Sequence, residues 1–262
     1  MLASWQMREG FLRSGRMATR RGVWVVALAL GLAAGASAGE EFEGKLTFEV
    51  VSKQAGAQPV AMDYTVKKGL VRMDTKVAGM SNYTIIDPAH KKMSMVMPAQ
   101  KMVMEMAIGS VEPPAPATAP EIVKTDKTER VTFNVVDATT LTLVKEGEAA
   151  GAGAKTYEGQ QYAVKVGDRN SEQWIAKDLT LLAGFVETFK AMAQGPNAAW
   201  MKRVEWPGFP YRMVTKDAEG NVLSEMTLVA IDTKSPDDTL FTVPDDYKKM
   251  TMPQAPPAMP KE

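Results

Sequence analysis

The sequence predicts a mainly β protein: an antiparallel sheet with one or two helices. Three observations carry this. Short segments of alternating apolar and polar residues recur along the chain, separated by Gly, Pro and Asp turn signals. One convincing stretch has the apolar spacing of an amphipathic helix. Between two of the predicted strands, Met93-Ser-Met-Val-Met-Pro-Ala-Gln-Lys-Met-Val-Met-Glu-Met106 carries two period-two Met series around a proline.

The elements follow in order. Residues 42–51 alternate, with Phe42, Leu46 and Phe48 on one face. Residues 60–67 place Val60, Met62, Tyr64 and Val66 at period two, and Lys68-Gly69 is a tight-turn signal into a return strand at 70–74. Residues 81–86 make a further strand, closed by Asp87-Pro88. With the Met hairpin this gives about six strands in sequence, a meander of antiparallel neighbours. Residues 111–120 are rich in Pro and Ala and predict an exposed loop. Strands are expected at 131–136, 141–144, 156–166 and 173–176, with a Gly/Ala loop at 148–154. The helix starts near Lys177-Asp178, because Leu182, Phe185, Val186, Phe189 and Met192 or Ala193 follow helical spacing, and Gly195-Pro196 ends it. A second short helix is expected at 197–203. Strands at 211–216 and 221–231, joined by the Asp217–Gly220 turn, precede a Pro-rich disordered tail at 253–262.

The Met hairpin is the most informative stretch. Successive strand residues point to opposite faces, so Met93, Met95 and Met97 share one face, as do Met102, Met104 and Met106. An even loop opposes Met97 to Met102, Met95 to Met104 and Met93 to Met106, putting all six thioethers on one surface. An odd loop splits them, because a one-residue slip reverses the face. The even loop is the expectation, since the other face then carries Lys92, Ser94, Val96, Lys101, Val103 and Glu105, a mostly solvent-compatible set.

The first 38 residues read as a secretory signal peptide. Arg13, Arg16, Arg20 and Arg21 form a basic start, residues 22–32 an apolar core, and Ala36-Ser37-Ala38 a small-residue cleavage site. Translation from Met1 or from Met17 would both leave such a signal. The uncleaved alternative is a membrane anchor, but the uncharged run 22–38 is at the short limit for a span. Cleavage leaves a single domain at 39–252, with no further transmembrane span, in the periplasm. The leader holds five Arg and one Glu, so the remainder carries 26 basic against 30 acidic side chains. That balance does not suit nucleic-acid binding. The chain has no cysteine, which removes disulfides, thiolate metal sites and lipid attachment at Cys.

Several short motifs, in this order, resemble the DUF4412 family of exported bacterial proteins. They are Phe42-Glu-Gly44; Met62-Asp-Tyr64 with Arg72-Met73; Ile85-Ile86-Asp87 with the Met hairpin; Tyr157-Glu-Gly159-Gln-Gln-Tyr162 with Trp174-Ile-Ala-Lys-Asp-Leu179; and Gly208-Phe-Pro210 with Leu240-Phe-Thr-Val-Pro244-Asp-Asp-Tyr247. The architecture is similar to that of the LolA- and LolB-like lipoprotein carriers. The resemblance implies a curved antiparallel sheet or incomplete β-barrel, with the helices across its concave face and a hydrophobic cleft between. No position matches the carriers' lid-locking basic residue, so lipoprotein transfer itself is not implied.

The expected function is non-catalytic binding of a hydrophobic ligand, a lipid or acyl chain. The expected site is Met93, Met95, Met97, Met102, Met104 and Met106 with Leu182, Phe185 and Phe189 facing them. Thioethers offer an adaptable apolar lining, and the helix could act as a lid with flexible points at Gly184 and Gly195-Pro196. Trp200, Trp206 and Phe209 are candidates for the cleft rim. Two alternatives stay open. Clustered thioethers also suit copper(I), with His90, Met93 and Met95 as candidate ligands; or the Met face is ordinary core and the protein is an envelope structural or interaction module. Partners are expected to be a hydrophobic ligand, a lipoprotein or other envelope proteins; no cofactor is expected. Catalysis has little support. His90 is the single histidine and sits in a turn, and no phosphate-binding glycine loop is present. The acidic pairs Asp237-Asp238 and Asp245-Asp246 read as solvated turns.

Overall fold

The structure is a computed structural model describing residues 42–53, 57–77, 80–108, 121–166, 169–182, 184–186, 190 and 208–251. All belong to the compact unit Gly39–Glu262. The expected signal peptide, the 111–120 loop, the second short helix, the 253–262 tail, and Phe189, Trp200 and Trp206 lie outside the described residues.

Thirteen strands form one sheet among the described residues. The first six are a meander: β1 (Gly44–Ser52), β2 (Val60–Lys67), β3 (Leu70–Val77), β4 (Met80–Asp87), β5 (Lys92–Met97) and β6 (Met102–Ala107). Local chemistry sets its turns. Lys68 and Gly69 both have positive φ, 50° and 73°, matching a two-residue hairpin turn whose twist suits the flanking strands. The β5–β6 loop is a 3-10 turn at Pro98–Gln100 followed by left-handed Lys101, four residues in all. Proline supplies the fixed φ of the first turn position.

Next come β7 (Glu121–Val135), β8 (Thr140–Leu143), β9 (Lys155–Val166), β10 (Arg169–Ala176), β11 (Pro210–Lys216) and β12 (Val222–Asp232). These six pair in the cyclic order β7-β8-β12-β11-β10-β9 and close into a ring. β12 manages two neighbours on one edge: residues 222–227 pair with β11 and 230–232 with β8. Its other edge pairs with β1 along its length, with a bulge opposite Thr47/Phe48. The expected curved, mainly antiparallel sheet is therefore present, with six strands closed and the meander extending from them.

Three expectations need correction. The strand predicted at 131–136 begins ten residues earlier, at Glu121. Its first half, Glu121–Arg130, is half or fully exposed, so no clean apolar alternation marked it. A strand not anticipated, β13 (Lys248–Thr251), adds to the edge of β6 in parallel. The face opposite the Met ladder is not a solvent face either: Ser94, Val96 and Val103 are buried, both valines completely. The chain between β12 and β13 is anchored to this face. Arg72 lies on that face by register and donates from Nη1 to the Leu240 carbonyl at 2.9 Å. Lys67 donates to the Pro236 carbonyl and pairs with Asp238, and Lys101 pairs with Asp246. The acidic pairs thus include anchors of this strap. Asp237 caps a 3-10 turn at Asp238–Phe241 by accepting from the Thr239 N–H.

The central core gathers Leu46, Phe48, Val66, Val71 and Ile86 of the meander with Phe133, Leu141 and Ile231 of the ring. Of the predicted helix, the described parts are a 3-10 turn at Thr180–Leu182 and helical residues 184–186 and 190. Leu179, Leu182, Phe185 and Val186 are buried in this core. Phe185 sits among Phe42, Tyr64 and Phe209 in edge-to-face contact, with ring centroids 6.1, 5.9 and 4.8 Å away.

Candidate functional site: the methionine face

The sheet register settles which side chains share a surface, because directly paired residues on neighbouring strands point the same way. Met97 pairs with Met102, Met95 with Met104 and Met93 with Met106. The even loop and the single six-Met surface expected from the sequence are both present.

The register also shows what this surface continues. One transverse row runs Leu46, Tyr64, Met73, Thr84, Met95, Met104, Met250 across seven strands. A second runs Gly44, Val66, Val71, Ile86, Met93, Met106. The Met ladder is therefore the outward continuation of the core face. Met93 packs against the central cluster. Farther out the cover thins: Met97, Met102, Met104 and Met106 are half-buried, while Met95 is 37% and Met250 42% exposed. Met62 and Met73 lie inward on the same face, and Met62 also packs against the core.

Leu182 and Phe185, expected to face the ladder, are 2% and 0% exposed and cover the β1–β4 part of this face. Met93, at the inner end of the ladder, packs against the same core cluster. Phe209, a predicted rim residue, is buried in the core as well. Sequence reasoning missed Met250. Its strand is four residues long and includes two lysines, and its partner β6 lies far away in sequence, so nothing local announced the pairing.

His90 is where the sequence put it, in the exposed turn before β5. Its backbone N–H donates to Asp87 Oδ1 at 3.0 Å, and its Nδ1 lies 2.7 Å from Asp87 Oδ2. Slight burial works against the Asp87 charge, but the His90 contacts outweigh it and hold this carboxyl below its ordinary value. That contact engages Nδ1 of a largely exposed ring. Among the described residues no group of three His, Asp or Glu could hold a metal ion. No described helix is long and apolar enough to cross a membrane.

The face behind the ladder is charged at its margin. Lys92 pairs with Glu105 at 2.8 Å, and that hydrogen bond, with Lys249 adding a smaller effect, lowers the Glu105 pKa. By contrast, in the rows of β5, β6 and β13 the Met face holds no carboxylate. It offers dispersion contacts and neutral sulfur ligands, with the Lys248 ammonium at its edge opposite Met102.

A second concentration of polar groups lies in the ring. Tyr211 donates to Glu129 Oε1 at 2.7 Å, while Arg212 reaches Glu129 Oε2 at 3.3 Å and Glu225 Oε1 at 2.6 Å. Burial first, then the Glu129 bond, pushes the Tyr211 hydroxyl far above its ordinary pKa. These groups satisfy one another, so the cluster reads as a structural brace of the barrel.

The family model for a domain of unknown function, DUF4412, matches residues 42–247. The chain belongs to the DUF4412 family. No curated protein sequence matches it. Among solved structures, this DUF4412 chain is similar to an uncharacterized conserved protein from Thermus thermophilus, at 12% identity and a TM-score of 0.44, over 79% of this chain and 89% of that one. It is also similar to PNGF-II in two crystal forms, at 11% identity and a TM-score of 0.37, over 79% of this chain but 30% and 31% of those chains. This DUF4412 protein thus spans less than a third of PNGF-II.

Proposed function

We propose that this protein binds the acyl chain of a lipid or lipoprotein on its Met face, without catalysis, in the bacterial periplasm. The observation that carries the reading is the single register that extends the core face outward as six thioether side chains, five half-buried and Met95 exposed. A face of this kind gains from covering apolar area, about 25 cal/mol per Å². Unbranched Met side chains adapt to a flexible chain better than β-branched ones. The inner end, where Met93 meets the core containing Leu182 and Phe185, would take the tip of the chain. The secretory character of residues 1–38 supports the compartment. The cargo class follows from the apolar, adaptable chemistry of the face. The buried Phe185–Phe209 contact favours one other reading, a module whose concave face is permanently filled and which serves only as an envelope interaction partner.

Native mass spectrometry of protein purified from the periplasm without detergent tests this. A lipid-sized increment is expected, and Met95→Glu/Met104→Glu should abolish it while the folded state persists. A bare polypeptide mass, also after incubation with phospholipid vesicles, sinks the acyl-chain reading and favours the filled module.

A further inference from the structure

The parallel strand β13 changes what the ladder can do. It pairs Met250 with Met104, and Met104 is already paired with Met95. Three thioethers thus stand side by side on three adjacent strands, with neighbouring strands about 4.8 Å apart. Met95 and Met250 are the two methionines among the exposed large hydrophobics. They flank a half-buried Met104.

We infer that Met95, Met104 and Met250 form a binding site for a soft monovalent metal ion, copper(I) in chemical class. The inference stands on β13 and does not rest on the acyl-chain reading. Each Met carries its sulfur on a stem with three rotatable bonds, so sulfurs on adjacent strands can swing together over one point. Thioether sulfur is a soft, neutral ligand that selects copper(I) over harder ions. No carboxylate shares the face in these rows, and the nearest charge by register is Lys248, opposite Met102. A divalent ion would therefore lose its hydration there without an anionic partner, whereas a monovalent soft ion loses less. The remaining hairpin methionines, one row away on either side, surround the site with apolar contacts. His90, a candidate copper ligand on sequence grounds, is not one of the three: it lies in the turn before β5, beyond the Met93 row, where its Nδ1 meets Asp87.

The test uses the secreted chain with copper(I) supplied from a chromogenic copper(I) chelator under anaerobic conditions. Wild-type protein should withdraw one equivalent and carry the corresponding mass increment, while zinc(II) should not bind. Met95→Leu/Met104→Leu/Met250→Leu keeps the volume and apolarity of the row but removes its sulfur, and should lose the ion. Met213→Leu/Met226→Leu, a directly opposed pair in the ring, should keep it. Because leucine preserves the greasy surface, the triple variant should still take up an acyl chain, which separates failure of this site from failure of the lipid reading. Failure of the wild type to withdraw copper(I), retention of the ion by the triple variant, or equal loss in the ring control would each overturn the site.

Discussion

The meander and the ring are parts of one sheet, yet they treat their side chains differently. In the ring the inner side chains are held in fixed relations: Phe133 stacks edge-to-face on Tyr157 with centroids 6.2 Å apart, and Tyr211 passes directly over Gly159 to reach Glu129. In the outer meander the order is reversed from what an amphipathic strand suggests. The valines behind the hairpin are sealed, while the methionines in front are partly open. The difference teaches that burial here is not a property of residue type. It is decided by which neighbouring segment lies over each face. The 233–247 strap is anchored to the valine face through Lys67, Arg72 and Lys101, and Phe185 packs on Tyr64 at the inner part of the Met face.

The sharpest way to break this comparison is to place a charge on each face of one hairpin. Val96→Asp buries a carboxylate in a position of zero exposure, between Tyr83 and Val103 by register. It should cost about 3–5 kcal/mol and leave the protein largely unfolded in urea titrations at 25 °C. Met95→Asp on the open face should cost less than about 1 kcal/mol. Equal costs would mean that the two faces are covered alike.

The ring offers the next test, because its tolerance is set by contact. A β-carbon at Gly159 would collide with the Tyr211 hydroxyl, with further close contacts to the ring of the same side chain. Tyr211 would have to leave Glu129, and the half-buried network with Arg212 would lose a member. Gly159→Ala should destabilise by about 1–3 kcal/mol. Tyr211→Phe keeps the ring and removes the donor, so it should cost about 1 kcal/mol. A double variant no worse than Gly159→Ala alone would show that the alanine acts by displacing that hydroxyl.

The legible parts of this fold are those fixed by local chemistry. Lys68-Gly69, Pro98 and Gly220 announce their turns, and the period-two Met series with an even loop between its halves specifies the six-Met face. The direction of that face is also legible, since Leu46, Tyr64 and Val66 alternate in phase with it. The strap and β13 are not. They act through partners far away in sequence: Lys67 with Asp238, Arg72 with Leu240, Lys101 with Asp246, Met104 with Met250. Ser94, Val96 and Val103 look solvent-compatible because the hairpin alone gives no sign of a segment arriving from residue 233 onward. The same distance hides Met250, so the candidate site can be read from sequence only as a ladder of two strands.

The smallest effect expected is a pH dependence confined to the strap. Its carboxylates sit below the ordinary value: Asp238 through its hydrogen bond to Lys67, Asp246 through its bond to Lys101, and Asp237 through the Thr239 backbone N–H. A carboxyl whose folded pKa is depressed stabilises the folded form above its unfolded pKa, near 3.9. That contribution is lost as pH falls through the lower folded value. All three are solvent-exposed, so the effect is screened and modest. Acidification from pH 6 to below about 3.5 should raise hydrogen exchange in residues 233–247 while the ring strands stay protected. Lys67→Met/Lys101→Met should reproduce that loosening at neutral pH. Salt should do so in part, because these pairs are exposed. If the strap and the ring lose protection together, the strap is not an independently held cover, and the sealed Val face belongs to the same cooperative unit as the barrel.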